Sequence, residues 1–129
     1  MPGYDAELFD PPAPMATVAL RTLDRQRSVP DVVMLIDSGA DVSLVPESSV
    51  RRLGLETDEQ RGYEVMAFDG SKRVAKSVHC DLIFLGRAYG GVYLVVEGAC
   101  GILGRDVLNH LSLVLDGPRL NWREEHASE

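Results

Sequence analysis

The chain has 129 residues, a formal net charge of −7 and 45% apolar residues, which fits one globular core and excludes a disordered chain. The acidic balance, with only the short basic pairs Arg51-Arg52 and Lys72-Arg73, excludes nucleic acid as the main partner, because neutralising phosphates needs clustered Lys and Arg. No apolar run approaches the roughly 20 residues of a membrane span, and no basic start followed by an apolar stretch marks a secretory signal.

The first fourteen residues read as a flexible tail, since Tyr4 to Pro14 mixes acids with prolines, which cannot donate to a ladder. The domain is expected over 15–122 and a second tail over 123–129. Thr17 to Leu20 has strand character. Val32 to Ile36 is continuously apolar and ends at Asp37, which predicts a buried strand carrying a polar group at its end. Pro46 to Leu53 predicts a short helix, with proline at the first position, an early acid, late arginines and Gly54 as the stop. Tyr63 to Phe68 and Arg73 to Val78 flank Asp69-Gly70, a strong hairpin signal. Asp81 to Leu85 and Val92 to Val96, the latter after Gly90-Gly91, predict two further strands. Arg105 to Leu111 predicts a second helix, entered from Gly104. Leu113 to Leu115 and Leu120 to Trp122 flank Asp116-Gly117-Pro118, another expected hairpin. The sum predicts an all-β domain with two helical turns, most simply a small closed barrel.

Asp37-Ser38-Gly39-Ala40-Asp41 is the most informative stretch. A strand delivers a carboxylate to a sharp turn at glycine, where backbone can approach a ligand closely. The tripeptide alone is equally an Asx-type turn closing a strand. Its context decides. Met34 to Pro46 (MLIDSGADVSLVP) resembles the active-site segment of the retropepsins, the retroviral-type aspartic proteases. Their pattern is an apolar run, Asp, Thr or Ser, Gly, Ala, two variable residues, Ser or Thr, then an apolar residue. Gly101 to Leu108 (GILGRDVL) is similar to their second motif of two apolar residues, Gly, Arg, Asn or Asp and a Leu-bearing helix. The Asp69-Gly70 hairpin lies between the two, where the family keeps its flap. The resemblance spans about Thr17 to Trp122.

The resemblance implies an acid-protease barrel with one or two short helices and a flap hairpin. Asp37 would be the catalytic aspartate, and Ser38 would hydrogen-bond across a dimer axis to its twin. Gly39 would support the site and receive substrate backbone. Ala40, Asp41, Ile102 and the flap residues Phe68, Asp69 and Gly70 would line the substrate cleft, and Asp41 would pair with Arg105. The flap, Met66 to Ala75, departs from the viral kind in having a bulkier, charged tip. No cofactor or metal is implied.

Hydrolysis without a covalent intermediate needs one group to take a proton from water and another to give one to the carbonyl oxygen. In aspartic proteases two neighbouring carboxylates share one proton because both cannot ionise. This chain has one Asp-Ser-Gly and no duplicate half. Asp106 falls in a helix, and Asp116-Gly117-Pro118 lacks the following Ala. The expectation is a homodimer with Asp37 from each protomer, hydrolysing a peptide or protein substrate. The alternative is a dimeric module of the same fold that binds a peptide or protein without cleaving it.

Other candidates have plainer explanations. His79-Cys80-Asp81 lacks zinc spacing, and successive strand residues diverge. Cys100 reads as a small buried residue, His110 as a packing or surface residue, His126 as part of the tail. Gly90-Gly91 lacks the phosphate-loop pattern. Two cysteines make no disulfide framework and fit a reducing compartment, so a cytoplasmic location is expected. An initiating Met and charged ends lead to the expectation of a stand-alone cellular protein of bacterial type, not a piece of a viral precursor.

Overall fold

The computed structural model describes residues 2–66 and 72–126, with side chains outside 58–66 and 72–75. In chain order its elements are β1 (Tyr4–Asp5), β2 (Ala13–Arg21), β3 (Ser28–Ile36), β4 (Leu44–Pro46), α1 (Glu47–Leu53), β5 (Asp58–Met66), β6 (Lys72–Phe84), β7 (Arg87–Val96), β8 (Gly101–Leu103), α2 (Arg105–Leu108), β9 (Leu113–Asp116) and β10 (Asn121–Glu124).

Six strands close a barrel. The neighbours run β2-β3-β8-β4-β7-β6, and β6 returns to β2 through Ala19↔Ile83, Leu20↔Leu82 and Arg21↔Asp81. Closure leaves no free edge among these six. Alternation along each strand fills the interior: Val18 and Leu20 from β2, Val32 and Met34 from β3, Cys80, Leu82 and Phe84 from β6 are buried. The expected buried strand at Val32 to Ile36 is therefore a one-sided barrel strand, and Val33 is 38% exposed. A bulge between Val18↔Val32 and Leu20↔Val29 lets both Val29 and Val32 face inward. Pro30 and Asp31 (φ 59) take up the extra length.

Helix α1 begins one residue later than expected, with Pro46 as its extended cap. Gly54 ends it at φ 76, its N–H donating to Arg51 O. Helix α2 stops at Leu108, three residues short of the expectation, with Asn109 as its C-cap. The two strands expected from Asp81 and Val92 are parts of the longer β6 and β7. They are joined by a tight turn at Leu85 (φ 52) and Gly86 (φ 77). The Gly90-Gly91 pair lies inside β7, where Gly90 makes room for the Asp81 carboxylate paired with Arg21. Strands β5 and β6 pair up to Met66↔Lys72. The expected flap-tip residues Phe68, Asp69 and Gly70 lie outside the described residues.

The N-terminal stretch read as a tail is partly built into the fold. Tyr4 pairs with Pro14 and Asp5 with Ala13, and Gly3 bridges Asn121 of the β9–β10 hairpin. Arg123 and Glu124, expected in the C-terminal tail, belong to β10. Pro11 and Pro12 precede β2, and Pro14 lies opposite Tyr4 in a non-bonded pair next to the bond from Met15 N–H to Gly3 O, so the ladder with β1 needs no N–H from it. Trp122 of β10 anchors the hairpin: its Nε1 donates to Met15 O at 2.8 Å, and its ring packs 5.7 Å from Phe84.

Trp122 is 4% exposed and ties the last strand to the barrel. Trp122→Ala should cost about 3–5 kcal/mol. Trp122→Phe should cost less, because it keeps most of the packing and loses the bond to Met15. Denaturant unfolding followed by circular dichroism measures both.

Candidate active site

Strand β8 threads between β3 and β4, parallel to β3 (Leu35↔Ile102, Ile36↔Leu103) and antiparallel to β4 (Leu44↔Ile102). The loop 37–43 must therefore leave β3 on one side of β8 and return as β4 on the other. Crossing at such close range requires a glycine: a Cβ on Gly104 would stand 2.8 Å from Ala40 O and 2.9 Å from Val42 C.

Asp37 is the first residue of this crossing. Its N–H donates to Leu103 O at 3.0 Å, continuing the β3–β8 pairing by one step. Its Oδ1 accepts the N–H of Gly39 at 2.8 Å, and its carbonyl accepts the N–H of Ala40 at 3.2 Å. The Asx-type turn and the candidate catalytic site are thus the same object. Gly39 allows the tight fit, since a Cβ there would lie 3.0 Å from Asp37 Oδ1. Asp37 Oδ2 has no hydrogen-bond partner among the described residues, nor does the hydroxyl of Ser38, which is exposed.

Arg105 clamps the loop from below. Its N–H donates to Ala40 O at 2.8 Å and its Nη1 to Ser38 O at 2.6 Å. The expected Asp41–Arg105 pair is not formed. The guanidinium is committed to the Ser38 carbonyl, and Asp41 is exposed without an ion pair among the described residues. The expectation that Arg105 orders the loop rests on a carbonyl instead of a carboxylate.

The carboxylate that does hold the crossing is Asp106, a residue that sequence reasoning placed only in a helix. Its two oxygens accept Ser43 N–H at 3.0 Å and Ser43 Oγ–H at 2.6 Å. Ser43 Oγ in turn accepts Gly104 N–H at 2.9 Å, and Ser43 O accepts Leu94 N–H at 3.3 Å. Ser43 is wholly buried, so each bond satisfies a group that water cannot reach. The available signal was a lone hydroxyl between Val42 and Leu44 in an otherwise apolar run, which needs a partner if it is buried.

The structure brings together Asp37, Ser38, Gly39, Ala40, Arg105 and the half-buried Ile102, whose neighbours are Leu35 and Leu44. His79 is exposed whereas Cys80 is wholly buried, so the two diverge as strand alternation requires. Burial pushes the Cys80 thiol up to about 12, with Asp81 adding to the effect, which removes it as a nucleophile. Among the described residues no group of three His, Cys, Asp or Glu side chains could hold a metal ion.

A family model described as gag-polyprotein putative aspartyl protease matches residues 28–110, more than half of the chain. The chain belongs to that family. It is a retropepsin-like aspartic protease by family and by fold. Among solved structures, EIAV protease complexed with the inhibitor HBY-793 matches with a TM-score of 0.59 and 23% identity, covering 76% of this chain and 86% of that one. No curated protein sequence gives a significant match. The residues matched by the family model include the whole 37–43 crossing, β8 and α2.

Ser43 is the point through which the retropepsin-like crossing is fastened. Ser43→Ala should strand the Gly104 N–H and remove one donor from Asp106, costing about 1–3 kcal/mol. Denaturant midpoints of this variant against the parent measure the loss.

Proposed function

We propose that the protein is an aspartic endopeptidase that works as a symmetric homodimer, each protomer supplying one Asp37. The observation that carries this is the state of that carboxylate. One oxygen is held by Gly39, the other has no partner among the described residues, and the loop around it is fixed at Leu103, Arg105 and Ser43. A fixed loop with one unsatisfied carboxylate oxygen is a half-site.

In the dimer, two Asp37 carboxylates close together share one proton. The ionised one accepts a proton from a bound water while the protonated one donates to the carbonyl oxygen of the scissile peptide bond. Water oxygen bonds to the carbonyl carbon and gives a tetrahedral diol. Its collapse breaks the C–N bond, with a proton passing to the leaving nitrogen. The free hydroxyl of Ser38 suits a bond across the two-fold axis. The exposed Gly39 and Asp41 and the half-buried Ala40 and Ile102 are placed to receive an extended peptide, with Phe68, Asp69 and Gly70 proposed to cover it. The free thiols Cys80 and Cys100 suit a reducing compartment, and we place the enzyme in the cytoplasm on that ground.

Incubation with a peptide library at acidic to neutral pH tests the reading. The parent should cleave, and Asp37→Asn should lose activity by on the order of 10²–10⁴-fold or more. Excess Asp37→Asn chains mixed with the parent should depress activity further than dilution does, because each mixed dimer holds a single acid. A folded, dimeric parent that binds peptides and never cleaves them would instead establish a binding module.

The rate should follow a bell in pH, centred on the acid side of neutrality. Below the bell both Asp37 carboxyls are protonated and no base remains; above it both are ionised and no acid remains. Initial rates across pH on one cleaved peptide measure it, and a flat profile contradicts the shared proton.

A further inference from the structure

We infer that the turn between β2 and β3, together with the last turn of α1, is a docking surface for an acidic segment of a partner protein. Arg27 brings the two pieces together. Its guanidinium lies against Gly54, the residue that ends α1, so closely that a Cβ there would collide with Nη1. Arg25 is two residues away in the same turn, and Arg51 and Arg52 lie in the last turn of α1. The nine residues of β3 separate this surface from Asp37, about 30 Å along the strand, so it is not part of the cleft.

Charge at this end runs against the rest of the molecule. The chain carries −7 overall, yet here Arg25, Arg27, Arg51 and Arg52 meet only Asp24, Glu47 and Glu56 among the described residues. Two of those acids are engaged. Asp24 Oδ1 accepts the Thr22 hydroxyl at 2.5 Å and Gln26 N–H at 2.9 Å, and Glu47 pairs with Arg51 at 3.1 Å. Arg25, Arg27 and Arg52 are exposed and have no ion pair among the described residues.

The turn is also built to hold one shape. Thr22 is 3% exposed and anchors it. Its N–H donates to Arg27 O and its carbonyl accepts Arg25 N–H, both at 2.9 Å, while its Oγ accepts Arg27 N–H at 3.1 Å. Arg25 sits at φ 63, a conformation in which Gly, Asn or Asp is usual. So fixed a turn presents Leu23, 50% exposed, and its arginines with little order left to lose when a partner binds. Guanidinium forks match carboxylates, and Leu23 adds an apolar contact among them. The partner that fits is a short run of Asp and Glu broken by an apolar residue. Nucleic acid and anionic membranes spread their charge further and would meet the acids on the rest of the molecule.

Fluorescence anisotropy tests the surface on the full chain at low salt, with a labelled peptide of about twelve residues, Glu and Asp around one Leu. The parent should bind, and added salt should weaken the complex. Arg25→Gln, Arg27→Gln and Arg52→Gln together should weaken it about 10-fold or more. Arg119→Gln with Arg123→Gln, on the β9–β10 hairpin, should leave it unchanged. Leu23→Ser and Thr22→Val keep every arginine and should each weaken binding about 3-fold, the first by losing the apolar contact and the second by loosening the turn. If Thr22→Val fails to fold, Leu23→Ser and the arginine variants decide. A parent that does not bind, a hairpin variant that loses as much as the turn variant, or a folded Thr22→Val and Leu23→Ser that both bind like the parent overturns the docking surface. So does tighter binding of a single-stranded oligonucleotide or of phosphatidylserine vesicles to the same arginines. No variant touches the 37–43 loop, so cleavage and docking are judged separately.

Discussion

Everything around Asp37 depends on one steric fact: β8 passes between β3 and β4 directly beneath the loop that joins them. The crossing is possible because Gly104 has no side chain where the backbones of Ala40 and Val42 pass over it. Once the chains are that close, their backbone groups lose access to water and must find partners in each other. Asp37 N–H finds Leu103, Ala40 O finds Arg105, and Ser43 finds both Gly104 and Asp106. The rigidity of the 37–43 loop is therefore a consequence of how its strands are interleaved.

Three acids lie on or next to this crossing, and their surroundings give them different work. Asp106 is committed, each oxygen accepting a donor of the buried Ser43. A carboxylate held in this way fixes the geometry of the loop it bonds. Asp41 is exposed and unpaired among the described residues, so it keeps its hydration and adds charge at the rim. Asp37 lies between the two, with one oxygen committed to Gly39 and one unfilled. Sequence position does not separate the three, since all follow or precede apolar runs. The count of donors reaching each oxygen does.

That difference explains what was legible beforehand. An apolar run ending in Asp-Ser-Gly identified Asp37, because the strand and the turn are both local properties. The hairpin at Asp116-Gly117 and the cap at Gly54 were legible for the same reason. The turn at Leu85-Gly86 was not, because leucine at positive φ is tolerated only where the long β6–β7 ladder imposes it. Gly90-Gly91 looked like a break, whereas Gly90 makes space for the buried-side pair Arg21–Asp81. Arg105 was expected to pair with Asp41, and its guanidinium donates to the Ser38 carbonyl instead. A guanidinium can donate to a carboxylate or to a carbonyl, and only the three-dimensional path of the loop puts Ser38 O in reach. The Ser43–Asp106 bond spans 63 residues of sequence, and no local pattern encodes such a distance.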